Sequence, residues 1–337
     1  MSSSDSGLPA SDPGDRSVRE SVRRGRPDPG LPGGIPLFLL ALLGLALIRI
    51  ALGYLSLPVT ALPAANLVIA ALFLAVPVIA LFFAANSNWA WQSAAGLVVG
   101  GLILQFGLIA LGNAVQPPGP VAGIMVAIAQ GGLACWCAGL GALLATRIKD
   151  KNILLPIAIF LAAYDFFLVL TPVGFTQTLL KVAQPVFSKV AGQIPALTSH
   201  PTHGLAQAGA YIGMADFVFL AMFFIALFRF RMRTRQTLKT VLPALILYLL
   251  IVMVFGNYEV AGLSLSQLPA LVPIGLAVLI VNWREFELTK EEKVSTVGVA
   301  VFVTALLVFA ATRPKPQAEP SRRADVPTLP APAGLRD

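Results

Sequence analysis

The chain has 337 residues, of which 57% are hydrophobic and only 12% charged, with a mean hydropathy of +0.80 and a formal net charge of +8. Soluble domains carry roughly 25% charged residues, and several apolar runs here exceed the ~18 residues that read as a membrane-spanning helix. These figures exclude a soluble globular enzyme, a secreted disulfide scaffold and a nucleic-acid-binding domain. Most Lys and Arg lie in short loops beside apolar runs, where they carry topological information rather than a polyanion-binding surface. Cys135 and Cys137 sit in an apolar stretch and form neither a disulfide framework nor a zinc set.

Residues 1–34 are rich in Ser, Asp, Pro, Gly and Arg without apolar periodicity, and read as a disordered tail. The first apolar run, about 35–57, is longer than the ~7–15 residues of a signal-peptide core, so it reads as a retained span. Further runs follow at about 63–85, 90–113, 119–146, 153–172, 207–230, 238–256, 267–282 and 295–312. Strands of a membrane barrel would be short and alternating. These runs are continuous, which predicts an all-α polytopic bundle of about nine transmembrane helices. The first four helices occupy 35–152. The remaining five occupy 153–312, with one long loop at 173–206 and a second disordered tail at 313–337.

With a cytoplasmic N-terminus, the loops on that side hold 16 cations against seven on the other. The positive-inside tendency therefore predicts a multi-pass protein with its N-terminus inside, although the five cations of the C-terminal tail count against it.

Three ionisable side chains of note stand inside the runs, away from the cation-rich ends: Arg49, Asp165 and Asp216. Arg49 is near a helix end, where a long side chain can snorkel to the interface. A carboxylate at the bilayer centre costs at least about 2.5–3.5 kcal/mol and marks a functional candidate. Asp165 lies about seven residues before the end of the fifth run and Asp216 about nine after the start of the sixth. Antiparallel spans would bring both to a similar depth, roughly 10–14 Å from one face. The two can pair, bond separately to neighbouring helices, or form a proton relay in a carrier. A pair would share one proton and could activate water against a carbonyl.

The surrounding residues add an ordered set: Tyr164-Asp165, then Gly213-Met214-Ala215-Asp216, then Pro269-Ala270-Leu271 two runs later. This order resembles the Y-D, G-x-G-D and P-A-L motifs of the presenilin and signal peptide peptidase family of intramembrane aspartyl proteases, over about residues 153–282. The resemblance implies a presenilin-like fold, catalytic Asp165 and Asp216, and a site shaped by Tyr164, Gly213, Met214, Ala215, Pro269, Ala270 and Leu271. It further implies transmembrane proteins or peptides as substrates and, with the N-terminus inside, the orientation of the signal peptide peptidase branch. Gly213, one turn before Asp216, would allow close approach. Pro269, lacking an N–H, would free backbone groups to meet an unwound substrate. Tyr164 would offer a hydroxyl near the pair.

Two departures stand out. Ala215 replaces a family glycine, and the motifs fall on the fifth and eighth runs where the family has the sixth and ninth. Pro-Ala-Leu also recurs at 195–197 and 243–245, so only the ordered set is specific. The rival expectation is a proton- or cation-coupled carrier using the same two acids.

Other features read as structural. His200 and His203 lack the further ligands a zinc site needs, so no metal and no cofactor is called for. Cys135-Trp136-Cys137, and Gly96, Gly100, Gly101 and Gly107, read as helix packing. Arg229, Arg231, Arg233 and Arg235 are a topology signal that could also contact anionic membrane lipid. Nothing in the sequence identifies accessory subunits.

Overall fold

The computed structural model describes residues 34–170, 190–202, 204–255, 259–260, 263–264 and 270–312. Among these, nine α-helices follow one another: α1 Ile35–Leu52, α2 Leu62–Ala85, α3 Trp91–Val115, α4 Gly119–Arg147, α5 Leu154–Leu170, α6 Met214–Arg229, α7 Thr234–Phe255, α8 Leu271–Asn282 and α9 Lys290–Thr312. Two antiparallel strand pairs interrupt the series. β1 Gly192–Ala196 pairs with β2 Gln207–Ile212, and the short β3 Glu259–Val260 pairs with β4 Leu263–Ser264. Both expected tails, except Gly34, lie outside the described residues.

Each helix falls on one of the nine apolar runs, but the sixth run is corrected at its start. Residues 207–212 form a strand and the helix begins only at Met214. The reason is a partner: β1 lies in the segment expected to be loop, and Gly209 has no side chain to hold Ala196 away, since a Cβ there would stand 2.6 Å from Ala196 Cβ. Pro195, which cannot donate to the ladder, falls at the register shift after Ile194, where an unpaired residue is tolerated.

Five helices, α1 to α4 and α7, are long and apolar enough to cross a membrane, as in an integral membrane protein. Large apolar side chains face outward, among them Leu40, Leu43 and Leu47 on α1 and Val99 and Ile103 on α3. A soluble helix would bury one stripe and wet the other. Prolines in the first turns of α1, α2 and α4 sit where the N–H has no helical partner anyway. Pro77 and Pro243 lie inside α2 and α7, as transmembrane helices tolerate.

At the centre of the bundle, α4 packs against α3, α6 and α1. Small residues set the distance. A Cβ on Gly101 would stand 2.5 Å from the Trp136 nitrogen, and one on Gly141 2.5 Å from the Val218 carbonyl. Cys135, Trp136 and Cys137 are buried in this packing, and the Trp136 indole donates to the buried Gln105. Gly96, Gly100 and Gly107, expected at a contact, instead lie on the exposed face of α3 with nothing near their Cβ positions.

The cation-rich turns meet at one end of the bundle. Arg229 Nη1 donates to carbonyls at the end of α4, those of Ala145 and Thr146 and of Ile148 just beyond it, at 2.9, 3.1 and 2.9 Å. Asn152 donates to the Glu287 carbonyl at 3.0 Å, and Arg233 pairs with Glu285 at 3.0 Å. The fully buried Asn282 joins α8 to the start of α7: it donates to Thr237 Oγ1 at 2.9 Å and accepts the Arg233 N–H at 3.0 Å.

Candidate active site

α5 carries Asp165 facing the start of α8. Leu271 is the first residue of that helix, its cap position is held by Ala270, and no side chain there accepts the free amides. Asp165 Oδ2 takes this role, accepting the Leu271 N–H at 2.8 Å. An unpaired amide at a helix N-terminus is a ready partner for a carboxylate. Of the three Pro-Ala-Leu triplets, the structure therefore brings the third to an acid. Pro195-Ala196-Leu197 runs through β1 and its end, and Pro243-Ala244-Leu245 is inside α7. Pro269 lies outside the described residues.

Asp216 stands in the first turn of α6, not deep within a span, because β2 occupies the preceding residues. Residue spacing along two antiparallel helices therefore does not set the depth of the acids, yet the two carboxyls still come within electrostatic range of each other. Gly213 is corrected likewise: it caps α6 in an extended conformation (φ −62°, ψ 138°) rather than sharing a helical face with Asp216. Its smallness still matters, since a Cβ there would stand 3.0 Å from Asp216 Oδ2. The Asp216 N–H donates to the Gly213 carbonyl at 3.2 Å, and the Gly213 backbone also bonds the Asp216 carboxyl.

Met214 and Ala215 open α6 with exposed side chains, beside the half-buried Asp216. The Met214 carbonyl accepts a weak bond from Cys137 Sγ at 3.7 Å, which ties this turn to α4. Tyr164 does not supply the expected hydroxyl to the pair. One residue from Asp165 on a helix is a different face, and its ring is exposed, stacked on Phe160 with centroids 5.7 Å apart.

A hydroxyl the sequence reading missed lies there instead. Tyr248 on α7 is within electrostatic range of both Asp165 and Asp216, and its buried oxygen has no hydrogen-bond partner among the described residues. The available signal was its position as the single tyrosine of the run 238–256. Four helices, two of them by their N-termini, thus contribute to one cluster: Asp165 of α5 against the α8 amide, Asp216 in the first turn of α6, and Tyr248 of α7 within electrostatic range of both.

Arg49 does not snorkel. It is 4% exposed and bonded to Gln193. Of the histidine pair, His203 lies outside the described residues, and no group of three or more His, Cys, Asp or Glu able to hold a metal occurs among those described. No family model, curated protein or solved structure matches the chain.

Proposed function

We propose that this chain is a multi-pass intramembrane aspartic endopeptidase of presenilin type, with nine spans and a cytoplasmic N-terminus, which hydrolyses peptide bonds of transmembrane substrates. The observation that carries the reading is that Asp165 on α5 and Asp216 on α6 lie within electrostatic range of each other, with the Leu271 amide of the third motif bound to Asp165. That Y-D lies on α5 and Pro-Ala-Leu at α8 sets the chain apart from the family's numbering, with one helix fewer before the motifs among the described residues and α9 following them.

The chemistry follows from the pair. Two neighbouring carboxyls in a low-dielectric site hold one proton between them. The ionised member takes a proton from water as it attacks the scissile carbonyl, and the protonated member donates to the carbonyl oxygen. The substrate helix must unwind first, because its own hydrogen bonds hide the peptide bond. The exposed first turn of α6 offers the side from which an unwound strand would arrive.

The test is cleavage of single-span substrates in both orientations by purified protein in lipid. Asp165→Asn and Asp216→Asn should each reduce turnover by at least about 10²-fold while the thermal midpoint is retained. Unchanged cleavage in either variant would refute the pair. No cleavage together with aspartate-dependent proton or cation flux would establish a carrier instead.

A further inference from the structure

Arg49 lies three residues from the end of α1, yet only 4% of it is exposed. Its Nη1 donates to the Gln193 carbonyl at 2.7 Å and its Nη2 to Gln193 Oε1 at 2.9 Å. The Gln193 N–H in turn donates to Gln130 Oε1 at 2.9 Å. A guanidinium has five N–H donors, and both acceptors it meets here are neutral. Among the described residues no carboxylate pairs with Arg49; the titratable group acting on it is Tyr211. A buried charge is ordinarily paired, because an uncompensated one loses its hydration for nothing in return.

The missing partner has a place. A cavity of about 60 Å³ opens between α1, α2, α4 and β1, with Arg49, Gln130 and Gln193 on its polar side and Leu45, Phe73 and Phe217 among its apolar walls. One water needs roughly 10–15 Å³ measured this way, so the space accommodates a group several heavy atoms in size. Gln130 has its amide N–H groups left to donate. A cation and amide donors on one wall and hydrocarbon on the other are complementary to a charged head on an apolar chain.

We propose that this cavity binds an oxyanion, a carboxylate or a phosphate, carried on an aliphatic chain, with Arg49 taking the charge. The site does not depend on the protease reading; it shares with the aspartate cluster only the wall at Phe217, the residue after Asp216.

The experiment is calorimetric titration of the full-length protein in a neutral detergent with sodium octanoate and with octyl phosphate, using 1-octanol as the uncharged match. Wild-type protein should bind one or both anions saturably at one per chain, and octanol not at all. Preference for octanoate points to free fatty acids, preference for octyl phosphate to phospholipid heads. Arg49→Gln should weaken binding at least tenfold, whereas Asp216→Asn should leave it unchanged. Gly131→Leu decides the matter if Arg49→Gln does not fold. Gly131 lines the cavity and an added Cβ meets no heavy atom within 4 Å, so the larger side chain fills the space with Arg49 intact. Gly131→Leu should also lose binding at least tenfold. Equal binding of octanol, no saturable binding by the wild type, or wild-type affinity in a folded Arg49→Gln or Gly131→Leu protein would overturn the proposal.

Discussion

Tyr248 shows how a single atom can be read for both stability and function. Its hydroxyl is buried, unpaired among the described residues and within electrostatic range of two carboxyls. Leaving a buried hydroxyl unpaired costs about 1–3 kcal/mol. Tyr248→Phe should therefore raise stability by about 1 kcal/mol in thermal unfolding. If the hydroxyl helps to hold water or substrate, cleavage should fall by about tenfold or more in the same protein. A variant that is both less stable and equally active would contradict both halves. Glu292, at the start of α9 and ahead of its apolar run, gives a pH prediction. Its carboxyl accepts the Thr289 N–H at 2.7 Å, while the Glu292 N–H donates to Thr289 Oγ1 at 3.3 Å, a reciprocal capping box. The Thr289 backbone bond holds this carboxyl below the ordinary glutamate range. A lowered carboxyl contributes stability above its unfolded value, about 4.3, and loses it as pH falls through the lower folded value. The thermal midpoint of wild type should accordingly exceed that of Glu292→Gln at pH 6, and the gap should close as the pH approaches 3.

At the scale of elements, where the helices begin matters more than how apolar they are. α6 has 16 residues and α8 has 12, about 24 and 18 Å at 1.5 Å per residue, both short of the ~30 Å hydrocarbon core. Both start at the acid cluster, so their free first-turn amides are available to carboxyls rather than to a continuing helix. A broken backbone at membrane depth is tolerated where it is buried in protein or lines a polar cavity. The opposite case is α3 against α4, two long helices held close by glycine. A side chain at Gly101 would meet the backbone of α4 at Trp136 and Gly132. Gly101→Ala should force the pair apart and cost about 1–3 kcal/mol in thermal unfolding. Gly100→Ala, on the exposed face of the same helix, should be neutral or slightly stabilising.

For the whole molecule, the three cation-rich segments between helices, at 147–151, 229–239 and 284–293, are brought to one end by specific bonds, from Arg229 to α4, Asn152 to Glu287 and Arg233 to Glu285. This makes the orientation proposal testable with few probes. In a background with Cys135 and Cys137 replaced by Ala, Lys149→Cys and Arg231→Cys should be protected from a membrane-impermeant thiol reagent in intact cells. Gln116→Cys, in the turn between α3 and α4, should be labelled. The reversed pattern would invert the proposed topology, and uniform labelling would deny a membrane between the two ends.

The sequence by itself determined the membrane class, the approximate positions of the helices among the described residues, the start of the sixth apart, and the identity of the two acids. Each is written locally, in continuous hydropathy or in a charge where hydrocarbon should be. It also singled out the ordered trio of motifs, and with it the triplet whose Leu271 amide reaches Asp165. Only the tertiary structure decided that residues 207–212 pair as a strand, which moved Asp216 from mid-helix to a helix start. It also turned Tyr164 outward, brought in Tyr248, and buried Arg49 against Gln193. Hydropathy has no term for these outcomes. A strand needs a partner from elsewhere in the chain, and the burial of a polar side chain is set by which helices surround it.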